Sequence, residues 1–164
     1  MFLSRNQFSN IVRTTPLISI DFCILRGRKI LLGKRLNPPA KDFYFVPGGR
    51  IFKLERKEKA IQRILINELG FTIKNHNHKC IKDLGTYEHF YEENFLGNKD
   101  FSTHYIVIAY FIPFESLIKN QKQKVSEQHS SYFWLDIDNH KNKSYEIHPY
   151  TLSYLEHPFF RKVN

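Results

Sequence analysis

The chain has 164 residues, of which 41% are hydrophobic and 15% aromatic, and a formal net charge of +9. That length suits one domain, residues 1–164, able to bury a core unaided, and the composition excludes disordered, fibrous and collagen-like chains. The basic balance is spread along the sequence, so it fits a solvated surface or attraction to phosphate-bearing ligands, small nucleotides and nucleic acids alike.

Cys23 and Cys80 stand in no C-x-x-C or metal-like spacing, which favours a reducing compartment. No apolar run approaches the length of a membrane span, and Met1-Phe2-Leu3-Ser4-Arg5-Asn6 lacks a signal-peptide core. A cytoplasmic protein is expected.

In chain order, residues 17–25 and 29–33 are rich in Ile, Leu and aromatics around Arg26-Gly27-Arg28, the pattern of a hairpin. Pro38-Pro39 then forces an extended loop. Residues 43–46 read as a short strand ended by Pro47-Gly48-Gly49, whose glycines permit a tight turn and close approach of a ligand. From about residue 54 to 69, Ala60, Ile61, Ile64, Leu65 and Leu69 recur at helical spacing, and Gly70 is a stop signal. Residues 86–90 and 104–112 read as strands around a polar loop, 91–100, able to move over a site. Residues 132–135 form a further strand, and 150–160 carry a weak helical pattern around Leu152, Leu155 and Phe159, interrupted at Pro158. Strands on both sides of one strong helix imply a mixed sheet packed between helices, an α/β or α+β sandwich.

One charge is misplaced in that helix. Around the helical wheel Glu68 falls between Ile64 and Leu65, on the apolar face. A carboxylate there must be protonated, paired with a cation, or bound to a metal. The Gly-Gly loop before the helix, with Arg50 beside it and Arg63 within it, suits phosphate oxygens.

Residues 49–71 resemble the Nudix box, which runs Gly, five residues, Glu, seven residues, then Arg-Glu-apolar-any-Glu-Glu-any-Gly-apolar. The chain matches it at Gly49, Glu55, Arg63, Leu65, Glu68, Gly70 and Phe71, and departs at Ile64 and Asn67, where the pattern has glutamates. For hydrolysis at phosphorus with several Mg²⁺ ions, those departures would argue for a dead or altered enzyme. One Nudix branch, the GDP-mannose mannosyl hydrolases, is similar to this chain in further segments: Phe2-Leu3, Val12-Arg13, Leu31-Leu32-Gly33-Lys34-Arg35, Phe45-Val46-Pro47-Gly48-Gly49-Arg50, Glu68-Leu69-Gly70, His89-Phe90-Tyr91, Thr103-His104-Tyr105 and Glu127-Gln128-His129.

The resemblance implies an α/β/α Nudix sandwich with a mixed β-sheet between helices, and a homodimer. It implies release of GDP from GDP-mannose, or also GDP-glucose, by water attack at the anomeric carbon with inversion. One Mg²⁺ per site, with Mn²⁺ a substitute, would be held by the Gly48 carbonyl, Glu68 and Gln128, with waters or phosphate oxygens completing the shell. His129 would be the base, and Arg35 and Arg50, with Arg63, would lie near the phosphates or the leaving oxygen. Asp21 is either an ion-pair partner or a sugar ligand, the family comparison favouring the sugar. His89 and Tyr105 are half-buried packing residues or contacts to sugar and diphosphate. Tyr91 or Phe8 offers a stacking surface for guanine, though an isolated aromatic is more often core, and Phe8 is left outside the expected site. Glu127 acquires no role, and His76 and His78 fit a solvated turn.

The expected partners are the nucleotide sugar and a second copy of the chain, with neither nucleic acid nor membrane. Two rivals stay open: a pyrophosphatase attacking phosphorus, against which Ile64 and Asn67 speak, and a noncatalytic module binding RNA or a regulatory nucleotide. The latter would favour a concentrated basic stripe that the sequence lacks.

Overall fold

Successive side chains of a strand point to opposite faces, and strand β1 (Leu17–Arg26) uses both for burial. Cys23 and Leu25 enter one apolar cluster with Leu84, Leu135 and Tyr154, while Ile20, Phe22 and Ile24 enter another with Ala60, Ile61 and Ile64. Its near-continuous apolar run is what a strand covered on both sides requires. The computed structural model describes residues 3–74, 78–119, 129–139 and 145–162.

Gly27, with φ 54°, turns β1 into β2 (Lys29–Arg35). The two strands pair at Leu25↔Ile30 and Arg26↔Lys29 and then part. β1 goes on to pair antiparallel with β4 (Gly48–Arg50) and parallel with β7 (Thr103–Pro113). β2 instead pairs with β3 (Tyr44–Phe45) and β9 (His129–Asp136), and β6 (Lys82–Tyr91) lies antiparallel to β7. β5 (Phe71–Ile73) and β8 (Leu117–Lys119) make a separate two-stranded sheet. Helix α2 (Lys57–Ile64) covers the Ile20 face, and α3 (Pro149–Leu155) brings Tyr154 and Leu155 to the Cys23 face. The result is the expected α/β sandwich, a mixed sheet flanked by helices.

Several local details depart from the sequence reading. The strong helix starts at Lys57, because Leu54 adopts φ 65° and the Glu55 N–H closes a turn onto the Phe52 carbonyl. Its last turn, Leu65–Leu69, winds as a π-helix and ends at Gly70 in the left-handed conformation, φ 67°. Gly48 and Gly49 form no tight turn; they lie in β4, where the lack of a Cβ serves close packing of the protein against itself.

The loop after β6 is laced together rather than loose. Buried Asn94 donates to the Phe101 carbonyl and accepts from Leu96 N–H, and the Glu93 carboxylate accepts from Ala40 N–H at 2.9 Å. A helix absent from the sequence reading, α1 (Arg5–Thr14), opens the described chain, capped reciprocally by Ser4 and Gln7. Among the described residues no helix is long and apolar enough to cross a membrane.

Candidate active site

Two glycines bring β4 against its neighbours. A Cβ on Gly48 would press into the Asp21 carboxylate and stand 2.6 Å from the Ile20 carbonyl, while one on Gly49 would meet Ile64 Cγ1 at 3.2 Å. β4 therefore sits between β1 and the end of α2, and its Arg50 projects into a cavity of about 250 Å³. That cavity takes Ser19 and Asp21 from β1, Arg35 from β2, Gly48 and Arg50 from β4, His89 and Tyr91 from β6, and Tyr105 from β7.

Asp21 is 7% exposed and accepts a 2.7 Å hydrogen bond on Oδ2 from the Tyr154 hydroxyl. Burial pushes its carboxyl up to about 7, against the opposing pull of the Tyr154 bond and the Arg35 charge. The Tyr154 oxygen is also 3.1 Å from His89 Nε2. A phenol has one hydrogen; when Asp21 receives it, the oxygen accepts from His89 Nε2–H. His89 is accordingly neutral, since burial and the neighbouring His148 lower its pKa to about 3. Its ring lies flat on Tyr150, with centroids 3.9 Å apart and planes at 2°. The Tyr150 hydroxyl is held in turn by the Phe90 backbone, accepting from N–H at 2.7 Å and donating to the carbonyl at 2.8 Å.

The cavity also carries two cations. Arg35 donates through Nε to the Pro39 carbonyl at 2.9 Å and through Nη2 to that of Asn37 at 3.4 Å, which fixes the guanidinium over the 37–39 loop. Arg50 stacks 4.0 Å over the Phe8 ring, itself 4.6 Å from Phe95. Burial lowers the Arg50 pKa; Tyr105 counters this and the like charge of Arg63 adds to it. Burial also raises the pKa of Tyr91 and of Tyr105, so both present neutral phenols.

Arg63 and Glu68 do not line this cavity. Arg63 is committed to Glu55, at 2.7 Å, and donates to the Arg50 carbonyl at 2.7 Å, so it props the strand that carries Arg50. That ion pair keeps the Glu55 carboxyl below its ordinary range. Glu68 is buried in the π-turn one turn beyond Ile64, and its backbone carbonyl accepts from Tyr132 at 3.1 Å. The backbone of His129 pairs with Arg35 across β2 and β9; the His129 side chain, Glu127 and Gln128 lie outside the described residues.

Among the described residues no group of three or more His, Cys, Asp or Glu side chains converges on a point. The Glu68 carboxyl is buried in the turn that follows Ile64, the residue that packs onto Gly49. A buried carboxylate suits Mg²⁺, which leaves its remaining positions to other oxygens, water or phosphate.

Of the residues expected at the site, Asp21, Arg35, Gly48, Arg50, His89, Tyr91 and Tyr105 line this one cavity, and others not expected there help to build it. Phe8 lines the cavity, with Ser19, Asn37 and Phe95, while Tyr150 and Tyr154 support it from α3. The four-residue spacing of those tyrosines on one helical face was the available signal.

Residues 16–155 match the NUDIX domain family, and the chain belongs to it: a Nudix hydrolase of a nucleoside diphosphate-linked substrate. It is 34% identical over 152 residues to the low-salt glycan biosynthesis protein Agl8 of Haloferax volcanii, covering 92% of this chain and 87% of that one. Its fold is similar to that of a Nudix hydrolase from Nitrosomonas europaea, with TM-score 0.68, 16% identity and coverage of 91% of this chain and 92% of the other. A MutT Nudix hydrolase from Burkholderia pseudomallei is also similar, with TM-score 0.66, 21% identity and coverage of 88% and 98%.

Proposed function

We propose that this chain hydrolyses GDP-mannose, or also GDP-glucose, to GDP and free sugar, with water attacking the anomeric carbon and inverting it. One observation carries the reading: a single cavity joins hydroxyl-binding groups, Asp21 and His89, to two arginines, Arg35 and Arg50. A sugar diphosphate brings both matching chemistries. The similar Agl8 is named for glycan biosynthesis, which agrees with a sugar-bearing substrate.

In this reading Arg35 and Arg50 take the phosphate oxygens and the charge that grows on the leaving oxygen. Arg63 acts on the same end of the substrate by holding the Arg50 carbonyl. Asp21 and His89 orient the sugar, and Tyr91 and Tyr105 close the cavity around sugar and diphosphate. His129 receives a proton from water as the new C–O bond forms and the bond from anomeric carbon to diphosphate breaks. Glu68, the Gly48 carbonyl and Gln128 would hold Mg²⁺, or Mn²⁺ in its place. When bound, the metal screens the charge of the departing diphosphate. With leaving-group charge the main demand, an apolar Ile64 and Asn67 in place of box glutamates are tolerable. A homodimer belongs to the same reading, and the exposed apolar side chains Ile18, Phe52, Leu54 and Phe90 offer surface for it; sedimentation velocity measures it directly.

Attack at phosphorus is the second reading, and it draws directly on the family match. Hydrolysis in ¹⁸O-water separates the two: label in the sugar supports attack at carbon, and label in the phosphate overturns it. His129→Gln is expected to lower kcat by about 10²–10⁴-fold with GDP affinity and Tm unchanged. An unchanged kcat removes His129 as the base.

A further inference from the structure

We infer that Tyr154 is a positioning residue of this site, its hydroxyl binding the Asp21 carboxyl and the His89 imidazole into one unit that meets the hydroxyl groups of the substrate. The inference rests on the nucleotide-sugar reading for its ligand and on geometry for everything else.

Tyr154 is fully buried in α3, and its ring meets Tyr87 edge-on at 4.7 Å. For that packing alone a phenylalanine would serve. A buried phenolic hydroxyl must find partners, and the two it finds, 133 and 65 residues away in sequence, both line the cavity. Tyr154 does not line it and acts through them.

The bond directions set what the pair offers. Tyr154 gives its only hydrogen to Asp21 Oδ2, so its oxygen accepts from His89, which is then protonated on Nε2. Nδ1 keeps its lone pair and is an acceptor. Tyr150, parallel to the imidazole, holds the ring plane, so neither rotation nor exchange of the two nitrogens is free. Asp21 Oδ1 lies over Gly48, at the cavity wall. With the Asp21 carboxyl ionised, the unit thus carries two acceptors of fixed direction, a carboxylate oxygen and an imidazole nitrogen, which suit two neighbouring hydroxyls of a sugar. Without the Tyr154 hydroxyl, His89 can take the other tautomer and present an N–H, a donor where the ligand needs an acceptor.

The first test needs neither variant nor turnover. Long-range ¹H–¹⁵N spectra of the full chain should show His89 as the Nε2–H tautomer; the Nδ1–H tautomer overturns the inference. The second is Tyr154→Phe, which keeps the ring and its contact with Tyr87. It is expected to raise KM for the nucleotide sugar about tenfold while GDP affinity changes by less than about twofold. Equal losses for both ligands, or none for either, overturn it. In the double variant Tyr154→Phe/His89→Gln the loss should match that of His89→Gln alone; additive losses would mean that Tyr154 does not act through His89. Should Tyr154→Phe fail to fold, the wild-type tautomer decides. Absence of GDP release by the wild-type chain refutes the nucleotide-sugar reading, while the spectrum still judges the Tyr154 hydrogen bonds.

Discussion

On the α2 side of β1, Ile64 is 1% exposed and packs its aliphatic carbons onto Gly49, at a position where the Nudix box has a glutamate. On the α3 side, Asp21 is 7% exposed, yet it is an acid, and the hydroxyl of Tyr154 reaches 2.7 Å to meet it. Burial is similar, and the chemistry is opposite. At this position the α2 side has carbon where the box has a carboxylate, while on the α3 side Asp21 is an acid with a hydrogen-bonded support around it. What distinguishes them is the presence of a partner, since a buried acid without one costs several kcal/mol.

Ile64→Glu breaks this comparison most severely. Placed in the apolar cluster of Ile20, Phe22 and Leu65, the new carboxylate should cost the chain about 3–5 kcal/mol in urea denaturation, and nucleotide-sugar turnover should not rise. A rise would mean that the α2 face still accommodates a second metal carboxylate.

Gly48→Ala comes next, because its methyl group would enter the space of the Asp21 carboxylate and the Ile20 carbonyl. A stability loss of about 2 kcal/mol is expected, with a higher KM because Asp21 must shift. Unchanged stability would show that β4 can slide away from β1 without cost.

The smallest net effect in the wild-type chain is expected in the pH dependence of stability, where two groups work against each other. The Asp21 carboxyl is pushed up to about 7 against an ordinary 3.8, so the folded chain binds its proton more tightly than the unfolded chain does. Its contribution is fully present below 3.8 and is lost as pH rises toward 7. His89, held at about 3 against 6.5, works in reverse: its contribution is present above 6.5 and is lost as pH falls toward 3. Between 3.8 and 6.5 the two slopes oppose each other. Asp21→Asn should therefore expose a loss of Tm on acidification, and His89→Gln a loss on raising pH. Slopes of the same sign in both variants would show that the two groups are not the source.

Local patterns were readable where one element explains itself. The apolar run of β1, the apolar face of α2, the stop at Gly70 and the odd position of Glu68 all follow from patterns within a few turns or strand residues. The helix start was misplaced because Leu54, an apolar residue in phase with the pattern, sits at φ 65° and almost wholly in solvent. Helix α1 was missed because it has few apolar residues; the Ser4-x-x-Gln7 cap was its clearest local sign.

By itself the sequence determined a sandwich of helices on a mixed sheet, from the order of its elements, and the buried position of Glu68, from spacing within one helix. The tertiary structure alone decided which cations face the cavity, setting Arg50 over Phe8 while Arg63 is held by Glu55. It also placed Tyr154, 133 residues along the chain, beneath Asp21. A hydrogen bond is made by distance and direction in space, and those arise only when β1, β6 and α3 pack together.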